Sequence, residues 1–242
     1  MPQDLFVLKL NGFPIFKQLQ LEEAFLRADL RNWCLLNTNA PPAIVMGISG
    51  KRELLIDERA LTSVDEMPIV RRFSGGGAVV TDPNTCFISW ICNAEDVGVK
   101  CFPHYIHQWA AAIYAEAFPS IDISLVENDY VIGELKVGGN AQYISRERWL
   151  HHTSFLWDYD QKLMNCLLIP RKAPTYREGR EHREFLCCLK EHISTKDEFF
   201  EGVFRYMCKR FCVHEVTLDE VEEVLQRPHR QSVSVETPLF IN

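Results

Sequence analysis

The chain has 242 residues, 47% of them hydrophobic, and 33 acidic against 26 basic side chains leave a net charge of −7. That balance excludes a nucleic-acid footprint, which needs a basic face, but allows a local basic pocket; the lack of an 18-residue apolar run excludes a spanning helix. Met1-Pro2-Gln3-Asp4 is neither a basic leader nor an Arg-rich transit segment, and nine cysteines without framework spacing point to a reducing compartment, so a soluble cytoplasmic or mitochondrial/plastid protein is expected.

In chain order, Leu5–Leu10 reads as a strand. Strands are predicted at Trp33–Leu36, Ile44–Met46, Ile69–Phe73, Ala78–Thr81 and Thr85–Cys92, the last three as a hairpin-rich sheet punctuated by glycines and by Asp82-Pro83-Asn84. Phe102, Ile106, Trp109, Ile113 and Ala117 recur at helical spacing between Pro103, suited to a first turn, and Pro119, which ends the pattern. Strands follow at Ile121–Val126, Tyr130–Ile132 and Leu150–Trp157, with Lys136 in a turn or short strand pair. Phe185-Leu186-Cys187-Cys188-Leu189 reads as a buried helix, in which a thiol is inert. A last helix runs from about Lys196 to Phe211, capped by Ser194 or Thr195, with Phe200, Val203, Phe204, Met207 and Phe211 inward. The expected fold is α+β, a mixed, largely antiparallel sheet with α-helices packed on one side. It is expected to be one domain over residues 1–242, with 213–242 a short C-terminal extension, because no linker or repeat divides the chain.

Two segments carry chemistry. Arg71-Arg72-Phe73-Ser74-Gly75-Gly76-Gly77-Ala78-Val79-Val80 sets two guanidinium forks beside three glycines, where backbone N–H groups can approach a phosphate. About sixty residues on, Lys136-Val137-Gly138-Gly139-Asn140-Ala141 places one lysine before paired glycines, and His151-His152 follows. Adjacent strand residues point to opposite faces, so the two histidines cannot share an ion, and one is expected to pack inward. His104/His107 and Cys208/Cys212 with His214 are loosely zinc-like but lack a second half with ligand spacing, so surface histidines and core thiols are the expectation.

Together these segments resemble the lipoate–protein ligase family, within the biotin/lipoate ligase and octanoyltransferase superfamily. Asn128-Asp129 before Lys136, and Ile15 to Arg27 with Leu21-Glu22-Glu23 at its centre, which resembles the family's first helix, extend the resemblance over residues 5–190. Thr81 stands where the family commonly has histidine, Thr153-Ser154 replaces Gly-Thr, and Ile48-Ser49-Gly50-Lys51 lacks the usual Arg-containing run. A catalytic domain without the C-terminal accessory domain of bacterial members is expected, with residues 213–242 following it.

The resemblance implies activation of lipoate or octanoate by ATP to the acyl-adenylate, then transfer to a lysine of a lipoyl domain, on E2 subunits of 2-oxoacid dehydrogenases or the glycine cleavage H protein. It implies Lys136 as the catalytic residue. It assigns Arg72, Ser74, Gly75, Gly76, Gly77, Ala78, Val79, Val80, Asn128, Asp129, Gly139, Ala141 and His152 to the nucleotide and acyl-adenylate, and Asp129, with Asn128 and Asp82, to Mg²⁺. Arg177, Arg180 and His182 resemble a loop that closes over the adenylate, and a solvated linker is the equal alternative. Other functions stay open: an ATP-independent octanoyl or lipoyl transferase using Cys187 or Cys188 as nucleophile, a biotin ligase, or a non-catalytic lipoyl-domain binder.

Overall fold

The structure, a computed structural model, describes residues 2–169 and 173–236. Twelve strands are described: β1 (Asp4–Asn11), β2 (Trp33–Thr38), β3 (Ala43–Met46), β4 (Ile69–Arg71), β5 (Ala78–Thr81), β6 (Thr85–Asn93), β7 (Ile123–Val126), β8 (Asp129–Ile132), β9 (Leu135–Ser145), β10 (Arg148–Leu156), β11 (Cys212–Val216) and β12 (Ser234–Glu236). They build two sheets, not one. Eight strands run in the order β11-β1-β2-β6-β10-β9-β8-β7, and four in the order β12-β4-β3-β5. Only β11–β1, β1–β2 and β3–β4 are parallel pairs, so the α+β fold is mixed and largely antiparallel.

Four longer helices cover the large sheet on both faces, where the sequence suggested one. Helices α1 (Ile15–Ala28) and α4 (Leu218–Gln226) close one face, with Leu21, Phe25, Val221 and Val224 packed on Leu8, Trp33, Leu35 and Leu150. Helices α2 (Pro103–Ala117) and α3 (Lys196–Arg210) close the other, with Ile106, Ile113, Tyr114, Phe199 and Val203 on Val7, Ile88, Trp90, Trp149 and Phe155. Alternation along the strands makes this possible: Val7 and Leu8 face opposite layers, as do Leu150 and Trp149. Pro103 opens α2 in its first turn, and the Thr195 hydroxyl caps α3 by accepting from the Glu198 N–H at 3.1 Å.

The predicted hairpin at the glycines does not form. β3 lies between β4 and β5, parallel to the first and antiparallel to the second, so the Gly-rich loop is a crossover at the end of β3. Lys136 is the second residue of the eleven-residue strand β9, not part of a turn. Cys187 and Cys188 are not helical; they form an extended link between the short helical turns His182–Phe185 and Leu189–Glu191. The segment after Cys212 is woven in, since β11 pairs with β1, α4 packs on α1, and β12 pairs with β4. No helix of the described residues is long and apolar enough to cross a membrane.

Candidate functional site

The glycine loop is held by its own arginine. Arg72, 5% exposed, donates from Nε and Nη2 to the Gly75 carbonyl at 3.2 and 2.8 Å, and burial lowers its pKa to about 10 against the opposing charge of Glu22. Gly76 has φ +103°, and a Cβ there would lie 2.7 Å from Arg72 Nη2, so glycine is required by backbone and by packing. Gly77 meets no such obstacle: a Cβ on it would touch nothing within 4 Å. The chain crosses behind this loop at Gly47 and Ile48, whose N–H groups donate to Gly77 and Ser74 carbonyls at 3.0 and 2.9 Å.

Across the cavity, β9 presents Lys136, with Nζ 2.8 Å from Asp129 Oδ1. Asp129 Oδ2 accepts from the Tyr176 hydroxyl at 3.0 Å, and burial together with the Asp129 charge pushes that phenol far above its usual range. The backbone N–H groups of Thr175 and Tyr176 donate to Glu127 Oε1 at 2.7 and 3.3 Å, and the Cys187 N–H to the Lys136 carbonyl at 2.9 Å. Residues 173–187 are therefore tied across the β7–β9 edge beside Lys136.

The inner wall centres on Glu22, fully buried in α1. Its Oε1 accepts from Ser89 Oγ at 2.6 Å and Gln18 Nε2 at 2.9 Å, its Oε2 lies 2.8 Å from His152 Nδ1, and Gln18 Oε1 accepts from Asn37 at 2.8 Å. Such a carboxylate is tolerated in the core because each oxygen has a donor. His151 faces the other way, as alternation requires: its ring nitrogens meet Tyr130 Oη at 2.8 Å and the Gln142 amide at 3.1 Å, and burial keeps its pKa well down.

These parts enclose one cavity of about 460 Å³, within the range of small-molecule sites. Of the residues expected at a site, Arg72, Gly77, Ala78, Val79, Asn128, Asp129, Lys136, Gly139, Ala141 and His152 line it. Ser74, Gly75, Gly76, Val80, Cys187 and Cys188 do not. Val80 alternates to the far side of β5 and packs with Ile44, Met46 and Ile56. Cys187 and Cys188 are buried, and their thiols are raised to about 11 and about 12, chiefly by burial, so neither is a thiolate near neutrality. Arg177 and His182, from the loop that resembled one closing over the adenylate, line it too, and the wall also holds Gln18, Glu22, Thr81, Phe87 and Asn140, which were not among the expected site residues. For Glu22 a signal existed: a carboxylate amid Leu19, Leu21, Phe25 and Leu26 breaks the apolar face of α1.

The acidic groups do not suit a resident Mg²⁺. Both Asp129 oxygens are committed, to Lys136 and Tyr176, and Asp82 caps the turn below β6 through Asn84 and Thr85 instead of reaching the cavity. Far from it, exposed Asp4, Cys212 and His214 bring possible ligand atoms within 4.8 Å of one another, whereas Cys208 takes no part.

Residues 14–212 match the family model for the lipoyl protein ligase A/B catalytic domain. The chain belongs to this family. It is 26% identical over 84% of its length to an inactive lipoate–protein ligase 2 of Plasmodium falciparum. It spans 69% of that relative, but 44% and 39% of lipoate–protein ligases of Staphylococcus aureus and Streptococcus pyogenes. Among solved structures, a bipartite lipoate protein ligase of Thermoplasma acidophilum, described with its E2 lipoyl domain, superposes with a TM-score of 0.75 at 18% identity, covering 93% of this chain and 91% of that one. A lipoate–protein ligase A bound with ATP gives 0.74 at 18% identity, covering 93% and 92%. The lipoate-ligase catalytic fold is thereby shown.

Proposed function

We propose that this chain is a single catalytic domain that activates lipoate or octanoate with ATP and passes the acyl group to a lysine on a lipoyl domain, of an E2 subunit or an H protein. The observation that carries this reading is the meeting of Lys136 with Arg72 and Gly77–Val79 around one cavity, although more than fifty residues separate the two segments. A carboxylic acid does not acylate an amine near neutrality, because hydroxide is a poor leaving group. Attack of the carboxylate on the α-phosphorus of ATP releases pyrophosphate and leaves a mixed anhydride; attack of the acceptor amine on its carbonyl then expels AMP. Negative charge grows on phosphate oxygens in the first step, where the Lys136 ammonium and open backbone N–H groups at Gly77 stabilise it. Magnesium, on this reading, enters with the nucleotide as part of the substrate.

The acyl tail runs toward Ile15, Val45, Phe87 and Leu156, which line the apolar part of the cavity. The cysteine-transferase alternative is disfavoured by two buried thiols outside that cavity. Because one relative is named inactive, activation needs its own assay. The expected result is lipoate-dependent ATP–pyrophosphate exchange and an ATP-dependent mass increase of a lipoyl domain, with octanoate as comparator. Lys136→Ala should reduce exchange at least about a hundredfold without changing the melting temperature. Undiminished exchange in that variant removes Lys136 from the mechanism. Absence of exchange in the wild type removes ATP activation.

A further inference from the structure

Arg177 is a buried cation that forms no ion pair among the described residues. It closes the 3₁₀ turn Thr175–Arg177 after Pro174 and is 5% exposed, with its guanidinium carbon 4.7 Å from the centroid of the Phe185 ring. Nε donates to the Arg180 carbonyl at 2.8 Å, and Nη2, buried, has no hydrogen-bond partner among the described residues. No carboxylate there lies within 4.0 Å of it. Glu181 and Asp129 bear on it with opposing charge from beyond that distance, and Asp129 already gives both oxygens to Lys136 and Tyr176. Neighbouring Arg180 is satisfied by carbonyls of Arg177, Tyr176 and Glu134. A guanidinium desolvated this far loses stability unless something anionic meets it, and burial pulls the Arg177 pKa down in keeping with that cost.

The side chain lines the same cavity as Lys136 and Arg72, so an anion entering that cavity can reach its free donors. The far wall excludes the acyl tail as that anion's source, since it is apolar apart from Glu22 and its partners. What remains is the most highly charged part of the reactants. We propose that Arg177 binds the β,γ-phosphate end of ATP and stabilises pyrophosphate as it departs. This rests on the ligase reading above. As the acyl oxygen bonds to the α-phosphorus, the bond from that phosphorus to the bridging oxygen breaks. The electron pair stays on pyrophosphate, where Arg177 meets the added charge.

The test compares Mg-ATP with AMP, which lacks the departing group, by titration calorimetry on the full chain. Arg177→Gln, and Arg177→Met as a neutral replacement that keeps the stacking on Phe185, should each bind ATP about tenfold more weakly, with AMP affinity and the lipoate-induced rise in melting temperature unchanged. Arg177→Lys should recover part of the loss. On the wild-type chain, ATP but not AMP should shield Arg177 from a dicarbonyl reagent, read by peptide mass mapping. Equal losses for ATP and AMP, no loss in folded neutral variants, or shielding by neither nucleotide would overturn the assignment. A wild type that binds ATP while the variants match it sinks the Arg177 role alone. One that binds neither nucleotide sinks the ligase reading too.

Discussion

Glu22 shows how one side chain serves both core and cavity. Its two oxygens take hydrogen bonds from Ser89 and Gln18 and meet His152, all from different elements. Replacing it by alanine leaves these groups unpaired in a dry site, at a cost of about 3 kcal/mol; urea denaturation of Glu22→Ala should show that loss at unchanged m-value. A loss below about 1 kcal/mol would mean the network reforms through water. The cysteines make a second check at this scale. Cys208 and Cys212 are exposed, while Cys187 and Cys188 are buried with raised thiols. Iodoacetamide on the native chain at pH 8 should therefore label the first pair, and mass mapping should find the second untouched until denaturant is added. Rapid native labelling of Cys187 or Cys188 would revive the thioester route. Lys136 and Arg72 could be picked from the sequence because glycine runs mark where a backbone opens to a ligand. Glu22 was legible only as a carboxylate breaking the apolar face of its helix, and Arg177 only as part of a polar loop; a charged residue in either setting is ordinarily solvated, and the fold shows that these two are buried.

Among the elements, the glycine loop separates packing from binding. Gly76→Ala meets both a positive φ and Arg72 Nη2, so it should destabilise the protein by about 2 kcal/mol or more. Gly77→Ala meets neither, so its melting temperature should stay put while, on the proposed reading, nucleotide affinity falls as the added methyl enters the cavity that Gly77 lines. Matching stabilities for the two variants would refute this division. The loop's position was legible; its connection was not. Local spacing between Arg71 and Ala78 suits a hairpin, and nothing near it in sequence reveals that β3, more than twenty residues earlier, slots between the two strands. The same limit hid the extended backbone at Cys187, whose N–H is claimed by the Lys136 carbonyl some fifty residues away and so leaves the helical register.

For the whole molecule, apolar patterning revealed most strands and two of the long helices, with a third expected from the family resemblance, yet the split into two sheets with helices on both faces follows from long-range pairings that no local pattern encodes. The buried imidazoles give the folded chain a pH signature. Burial lowers the pKa of His151 strongly from 6.5, and lowers His107 and His182 as well. The unfolded chain therefore takes up protons that the native one refuses. This contribution to stability is present above pH 6.5 and declines below it, by up to about 1.4 kcal/mol per pH unit for His151, the ring whose pKa is lowered furthest. Melting temperature should fall on acidification just below pH 6.5, and His151→Gln should flatten that slope. A flat wild-type profile would show that these rings are solvated.

The edge strand β12 pairs with β4 at Ile69, Val70 and Arg71, directly before Arg72, and Glu236 forms an ion pair with Arg71. Residues 165 positions apart in the chain thus share one ladder. During synthesis the edge of β4, which leads into the glycine loop, stays open until residues 234–236 have left the ribosome, so a nascent chain can finish its central sheet while the smaller sheet still lacks an edge strand.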